Sequence, residues 1–202
     1  MNILRIDSSA QTETAQSRRL ADRIVEGLRA NGQSRQITVR DLDDPLPQID
    51  RKWIAANMTP ADDRTDDQHA TLALSDTLIS EIEAADTLIV GLPVYNFGIP
   101  ASLKLWIDLV CRARKTYACS EDGPKGKMIY KQAIVCFASG GTPFGSKVDF
   151  ASGYIRHILA FIGITDVTFI AADRHFSDGT ALSRADANID ALLDGMRDRL
   201  SA

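Results

Sequence analysis

The sequence predicts an α/β fold: a doubly wound, five-stranded parallel sheet with helices on both faces. Three observations support this prediction. Short apolar runs rich in β-branched residues alternate with segments of helical spacing, and the run 87–92 (TLIVGL) is apolar after Thr87, as expected of a buried parallel strand. No repeat or linker divides residues 1–202, which indicates a single domain. Right-handed crossovers then favour the strand order 2-1-3-4-5.

Each strand is expected where a short apolar run occurs. The predicted strands are residues 3–6, 36–40, 87–92, 132–137 and 167–171. The second alternates in polarity, which is typical of an edge strand. Helical spacing links the strands, and its apolar positions are Leu20, Ile24 and Leu28; Leu72, Leu78, Ile79 and Ile82; Leu103, Trp106, Ile107 and Val110; residues 155–162; and Ile189, Leu192, Leu193 and Met196.

Local signals mark some ends of these elements. Asn31-Gly32 is typical of a helix C-terminus, and Pro100 suits a first helical turn, where its missing N–H is not needed. Two segments have no clear pattern. Residues 41–67 are rich in Asp and Pro, with only a short helical pattern around Trp53, and residues 116–127 are predicted as a polar connection.

Composition and charge argue against several classes of protein. The formal net charge of −4 offers no positive surface for nucleic acid or an anionic membrane. No apolar run approaches the length of a membrane span. Residues 1–7 carry charges within their apolar segment and lack the layout of a signal peptide. We therefore expect a cytoplasmic protein without a nucleic-acid or membrane partner.

The cysteines and histidines predict neither disulfides nor a metal site. They are widely spaced and form no CxxC pair or ligand cluster: Cys111, Cys119 and Cys136; His69, His157 and His175. Reduced thiols agree with a cytoplasmic location. No Gly-x-Ser-x-Gly motif indicates a serine nucleophile, and Cys111 lies in an apolar helical segment typical of a core thiol.

The loop after the first strand, residues 8–17, is rich in hydroxyls and amides and leads directly into a helix. Hydroxyls, backbone N–H groups and a helix N-terminus together bind phosphate well, with Arg18 or Arg19 adding positive charge. The alternative is that Ser17 only caps the helix. Neither Gly-x-x-x-x-Gly-Lys-Ser/Thr nor Gly-x-Gly-x-x-Gly occurs. A terminal phosphate is therefore favoured over a triphosphate or a dinucleotide pyrophosphate.

Two further loops reach the same edge, because parallel strands all end there. Residues 93–98 carry Tyr95 and Phe97 around Asn96, and these aromatics either face a ligand or pack inward as part of a plain connection. Residues 138–142 contain paired glycines, which let the backbone approach a flat ligand or simply form a turn. A phosphate loop beside aromatic and glycine walls best fits flavin mononucleotide (FMN).

Such a cofactor would carry the redox chemistry itself. The protein would hold its ring with one face open and stabilise negative charge on the reduced ring through the backbone N–H groups of Asn96, Gly140 and Gly141. Water can protonate a reduced acceptor. The sequence therefore predicts no catalytic side chain.

Several segments resemble the FMN-dependent NADH-azoreductase / NADH:quinone oxidoreductase family. They are residues 8–17, 93–108 (PVYNFGIPASLKLWID), 121–126 and 161–166, in order along nearly the whole chain. The resemblance implies a flavodoxin-like fold and a homodimer with two FMN sites near the subunit interface. It also implies ping-pong reduction of quinones and azo compounds by NADH, without settling NADH against NADPH. The alternative is a flavodoxin-like electron carrier without its own NADH:acceptor activity, although such carriers are typically shorter and more acidic.

The resemblance also implies the residues that hold FMN. Its phosphate contacts fall on Ser9, Ala15, Gln16 and Ser17. Its ring contacts fall on Val94, Tyr95, Asn96 and Phe97, and on Ala138, Ser139, Gly140 and Gly141. Three positions depart from the family pattern: Ala15 is often Ser, Ser139 is often Arg, and Cys119 is often aromatic.

Overall fold

The computed structural model describes residues 1–33, 36–121 and 123–201, without the side chains of residues 199–201. Asp122, within the family-like segment 121–126, and Ala202 lie outside the described residues. The strands are β1 (Asn2–Asp7), β2 (Gln36–Asp41), β3 (Thr87–Pro93), β4 (Tyr117–Ser120), β5 (Gly123–Gly126), β6 (Gln132–Ala138) and β7 (Asp166–Ala172). The helices are α1 (Gln16–Ala30), α2 (Arg51–Met58), α3 (Asp66–Ala84), α4 (Ala101–Val110), α5 (Phe150–Ile162) and α6 (Ala181–Ser201), with a short 3-10 helix over Ala61–Asp63.

Five parallel strands form the main sheet in the order β2-β1-β3-β6-β7. Counted within this sheet, the order is the predicted 2-1-3-4-5, and β2 lies at an edge as its alternating pattern indicates. The central strand β3 is buried along all seven residues. The register pairs Pro93 with Ala138 and Ala138 with Ala172. The loops that follow these strands therefore start from one edge of the sheet.

Helices cover both faces, as predicted. Helices α1 and α6 pack on the face that carries Ile3, Ile89 and Ile134. Helices α2 to α5 pack on the opposite face, which carries Leu4, Leu88 and Val135. Successive strand residues point to opposite faces, so these runs must be apolar throughout. Within the described residues, no helix has the length and apolar character needed to cross a bilayer.

The Asp- and Pro-rich segment is fixed to the fold through α2, the short helix expected around Trp53. A buried arginine, Arg112, joins three helices by donating from Nε to Asn57 Oδ1 (3.0 Å) and from Nη1 to Ser75 Oγ (3.0 Å) and Asp76 Oδ1 (2.8 Å). Burial of its guanidinium lowers the pKa of Arg112, although the nearby Asp76 opposes this shift. The hydrogen bonds that the guanidinium donates to several neighbours make such a buried charge tolerable.

The predicted polar segment over residues 116–127 contains two strands that the sequence did not predict, β4 and β5, which form a β-hairpin. Strands β4 and β5 pair antiparallel in a separate two-stranded sheet. The hairpin packs on the end of α5, where the Tyr117 and Phe161 rings are 4.4 Å apart and the Met128 N–H donates to Ile162 O (2.8 Å). At the closest approach, a Cβ built on Gly126 would overlap the backbone of Gly163. This backbone contact needs a glycine.

We expect Gly126→Ala to lower the free energy of unfolding by about 1–3 kcal/mol, because the backbone of Gly163 has no flexible side chain to move aside. The matched control is Gly153→Ala in the exposed face of α5, where nothing lies within 4 Å of the new methyl group. That change should raise stability by about 0.5–1 kcal/mol. Urea denaturation of both variants measures the difference, and equal effects would show that the close approach is not a constraint.

Candidate active site

A cavity of about 460 Å³ lies at the carboxyl edge of the main sheet. Seven of the twelve predicted site residues line it: Ser9, Ala15, Gln16, Ser17, Val94, Tyr95 and Ala138. The other five lie in the adjoining loops without lining it: Asn96, Phe97, Ser139, Gly140 and Gly141. Five more lining residues were not predicted as site residues: Gln11, Thr14, Pro93, His175 and Phe176. A larger depression of about 560 Å³ is not lined by any residue of the three loops, which are residues 8–17, 93–98 and 138–142.

The first wall is the start of α1, which lacks a capping side chain. Ala15 occupies the N-cap position and makes no side-chain hydrogen bond. Ser17 therefore lies inside the first turn, and the alternative that it caps the helix is wrong. Its side chain is buried (1% exposed), yet its Oγ has no hydrogen-bond partner. The first-turn N–H groups and this hydroxyl together form a favourable position for an anion.

The two arginines that follow do not supply charge to the cavity, contrary to expectation. Arg18 binds both carboxylate oxygens of Asp41 (2.6 and 2.7 Å) and donates to the carbonyl oxygen of Ser9 (3.1 Å). The hydrogen bond from Arg18 lowers the pKa of Asp41. Arg19 pairs with Asp186 (3.1 Å). Among the lining residues that the structure describes, none is Lys, Arg, Asp or Glu. An anion here would rest on neutral donors and the helix dipole.

The second wall is a tight turn that follows β3. The Val94 N–H donates to Ala138 O (2.9 Å), which extends the contact between β3 and β6 into the loops. Tyr95 and Gly98 exchange two backbone hydrogen bonds of 3.1 Å. Asn96 (φ 49°) and Phe97 (φ 69°) between them are both left-handed, as in a type I′ turn. The Tyr95 and Phe97 side chains are 40% and 53% exposed, so the alternative that they pack inward is wrong.

The Tyr95 hydroxyl joins the second wall to the first. It lies 3.2 Å from Ser9 Oγ and accepts the Ala10 N–H at 3.2 Å. Ser9 Oγ also accepts the Gln11 N–H (3.1 Å). Two loops that are far apart in the sequence are therefore fixed relative to each other by one phenol.

The third wall follows β6. Ser139 is buried, and its Oγ accepts the Thr142 N–H (2.6 Å), so this side chain holds the turn. A Cβ built on Gly141 would meet nothing within 4 Å, which leaves that backbone open to a neighbour. A Cβ on Gly140 would instead overlap the ring of Phe176. The two glycines, equivalent in the sequence, therefore differ in their surroundings.

Nucleophilic thiol chemistry has no support in this region. Burial raises the pKa of Cys111 to about 12, and burial also raises the pKa of Cys136. Both groups are therefore protonated near neutral pH. Cys119 is exposed on the hairpin and does not line the cavity. In the described part of the chain, no three His, Cys, Asp or Glu side chains are grouped to hold a metal ion.

Sequence signals could have identified only some of the residues that were missed. Gln11 and Thr14 lie within the polar loop already assigned to phosphate, and Pro93 ends the apolar run. His175 and Phe176 follow β7 without any motif, and only their position after the last strand of a parallel sheet marks them.

The strand order and the three-loop cavity define a flavodoxin-like α/β protein. A family model for the flavodoxin-like fold matches residues 1–200. Over 192 residues, the chain is 53% identical to FMN-dependent NADH:quinone oxidoreductase 1 of Jannaschia sp. (strain CCS1), covering 95% of this chain and 98% of that protein. The protein of the same name in Hahella chejuensis is 49% identical over 176 residues, 87% of this chain and 86% of that protein.

A solved structure agrees with this fold. The FMN-dependent NADH-azoreductase of Bacillus anthracis str. Ames Ancestor, in complex with FMN, has a TM-score of 0.85 at 20% identity, covering 98% of this chain and 100% of that one. Because of its 53% identity to the Jannaschia protein over 95% of its length, the chain belongs to the FMN-dependent NADH:quinone oxidoreductase family.

The unpartnered Ser17 hydroxyl generates a stability prediction. In the ligand-free protein, Ser17→Ala should raise the free energy of unfolding by about 1 kcal/mol, because it removes a buried polar atom without a partner. The control is Ser75→Ala, whose buried Oγ donates to Leu109 O (2.5 Å) and accepts from Arg112. This change should cost about 1–3 kcal/mol. Urea denaturation measures both, and a loss at Ser17 as large as that at Ser75 would contradict the assignment.

Proposed function

We propose that this protein is an FMN-dependent oxidoreductase that uses NADH to reduce quinones by two electrons, and azo compounds, in a ping-pong reaction. The observation that carries the proposal is the cavity itself. It joins an uncapped helix N-terminus with a buried free hydroxyl to an exposed aromatic turn and a glycine turn. The names of the related proteins from Jannaschia and Hahella support the same donor, cofactor and acceptor class.

The residues present fit the phosphate of FMN. Ser17 Oγ is an orphaned buried donor, and the backbone N–H groups of Gln16 and Ser17 belong to the first turn of α1. Ala15 contributes no hydroxyl, so the family-like position that is often Ser would act here through its backbone alone. Ser9 is held by Tyr95 and Gln11 at the same wall. We propose Ser9, Ala15, Gln16 and Ser17 as the phosphate contacts.

The flavin ring would lie between the second and third walls. Val94, Tyr95 and Ala138 line the cavity there, and Asn96, Phe97 and Gly141 stand beside it. We propose these residues, with Ser139 and Gly140, as the ring-holding set. Ser139 acts within its own turn by accepting the Thr142 N–H, so its part is to shape the loop.

Bound FMN supplies the redox chemistry, accepting a hydride from NADH and passing two electrons to the acceptor. The chain's own residues bind the phosphate, orient the ring and offer backbone N–H groups to the negative charge that reduction places on it. No side chain is assigned as a general acid or base. A single open cavity that NADH and the acceptor would occupy in turn would give the ping-pong order.

We further propose that residues 1–202 act as one FMN-binding domain, in keeping with the family match over 1–200. A cytoplasmic location is supported by the three unpaired cysteines.

A homodimer is supported by an apolar surface beside the aromatic turn. Phe97, Val148 and Phe150 are 53%, 45% and 66% exposed, and the Phe150 N–H donates to Phe97 O (3.0 Å). Exposed apolar patches of this kind mark contacts with other proteins.

The redox proposal is tested by anaerobic stopped-flow spectroscopy of the purified protein loaded with FMN. NADH should bleach the flavin absorbance without any acceptor present. A quinone mixed in afterwards should restore the flavin absorbance, and an azo dye should restore it while losing its own colour. NADPH run in parallel measures the nucleotide preference. Bleaching by neither nucleotide would overturn the oxidoreductase assignment and favour an electron carrier.

The dimer proposal is tested by sedimentation velocity. The wild-type protein should sediment as a dimer, and Phe150→Glu should shift it toward the monomer because a carboxylate would be buried in an apolar contact. Met58→Glu, at a residue that is 74% exposed on α2, is the matched control and should leave the dimer intact. A wild-type monomer, or a dimer that persists in Phe150→Glu, would show that this surface does not form a dimer interface.

A further inference from the structure

The turn after β7 is fixed to the glycine loop by two backbone hydrogen bonds. The His175 N–H donates to Ser139 O (3.1 Å), and the Phe176 N–H donates to Gly140 O (3.3 Å). A third contact, from the Phe144 N–H to Asp173 Oδ2 (3.1 Å), holds the start of the same turn. The position of Phe176 is therefore set by the main chain.

Phe176 is 87% exposed and yet lines the cavity. Its ring meets His175 edge-on, with the centroids 4.7 Å apart, and fills the space that a Cβ on Gly140 would need. Phe97 and Phe150 are also exposed, but neither lines the cavity. A phenyl ring so exposed gains little from the fold itself, and its apolar surface remains available to whatever enters the cavity.

The two glycines of the third loop consequently have different tasks. The Phe176 ring lies where a Cβ on Gly140 would stand, whereas a Cβ on Gly141 would meet nothing within 4 Å. Gly141 does not line the cavity, whereas Phe176 does. The first loop contributes polar lining residues, among them Gln11, Thr14 and Ser17. The lining therefore combines polar groups with the aromatic rings of Tyr95 and Phe176, as a phosphorylated planar ligand requires.

We propose that Phe176 is a flavin-binding residue: its ring closes the cavity from the β7 side and becomes buried against the ring system of the bound cofactor. The inference rests on the proposed function, because it assigns the aromatic lining residues to the flavin ring and the polar groups of the first loop to the phosphate. Phe176 then sets how tightly the flavin ring is retained, and the residues of the first loop set the preference for the phosphate.

The test measures the dissociation constants of FMN and riboflavin by quenching of flavin fluorescence with flavin-stripped protein. Phe176→Ala should weaken both ligands about tenfold, as expected for the loss of one stacking partner, and Phe176→Trp should keep both near the wild-type value. Tyr130→Ala, at an aromatic residue that is 97% exposed and does not line the cavity, is the matched control and should change neither. Ser17→Ala should weaken FMN alone. Unchanged or tighter binding by Phe176→Ala, or weakening of FMN without riboflavin, would overturn the assignment.

A double-mutant cycle tests the Gly140 contact separately. Gly140→Ala should weaken flavin binding in the wild-type background, because the new methyl group displaces the Phe176 ring. In the Phe176→Ala background the same change should have little further effect. Additive effects would show that Gly140 acts independently of Phe176 and would contradict the geometry. A wild-type protein that binds neither FMN nor riboflavin would refute the proposed function itself. That result is distinct from a Phe176→Ala variant whose dissociation constants are unchanged, which would refute only the role of Phe176.

Discussion

The site depends on a helix that begins without a cap. Ala15 makes no side-chain hydrogen bond to the first turn of α1, and the buried hydroxyl of Ser17 has no partner. Buried donors without partners destabilise a fold, so their persistence at the edge of a cavity is best explained by a ligand that completes them. Other contacts fix the loop before the helix. Ser8 Oγ donates to Gly91 O (2.6 Å), and Arg18 donates to Ser9 O. These contacts leave the first turn open.

At the aromatic turn, too, some groups hold the backbone in place while others remain free. Asn96 and Phe97 adopt left-handed backbone conformations, which cost free energy at residues with side chains and which asparagine tolerates better than phenylalanine. The two hydrogen bonds between Tyr95 and Gly98 and the bonds to the Tyr95 hydroxyl hold this geometry. From the sequence, this turn was expected to act through the backbone N–H of Asn96. The structure adds that the Tyr95 side chain joins the turn to the loop after β1.

Much of this fold could be predicted from period and polarity alone. The runs at β3 and β6 are apolar after their first residues, Thr87 and Gln132, because both faces are buried, and the helices between them carry apolar residues at helical spacing. The hairpin was not predicted because β5 is Gly-Pro-Lys-Gly, with no β-branched or aromatic residue. Its position is set by packing on α5. The cavity walls formed by the first two loops were recognisable from composition. Phe176 was not, because its role arises from a contact between two loops that no local pattern records.

The glycine loop shows why a residue type alone does not identify a binding role. Both Gly140 and Gly141 suggested close approach by a flat ligand, and neither needs a left-handed backbone conformation. Around Gly140 the approaching group is the protein's own phenylalanine, and only Gly141 faces open space. A cavity without Lys, Arg, Asp or Glu among its described lining residues must discriminate ligands by shape, neutral donors and the helix dipole. Under those conditions an exposed aromatic ring on the wall becomes a principal source of affinity, because Arg18 and Arg19, which follow the first loop, are already paired with carboxylates of the fold.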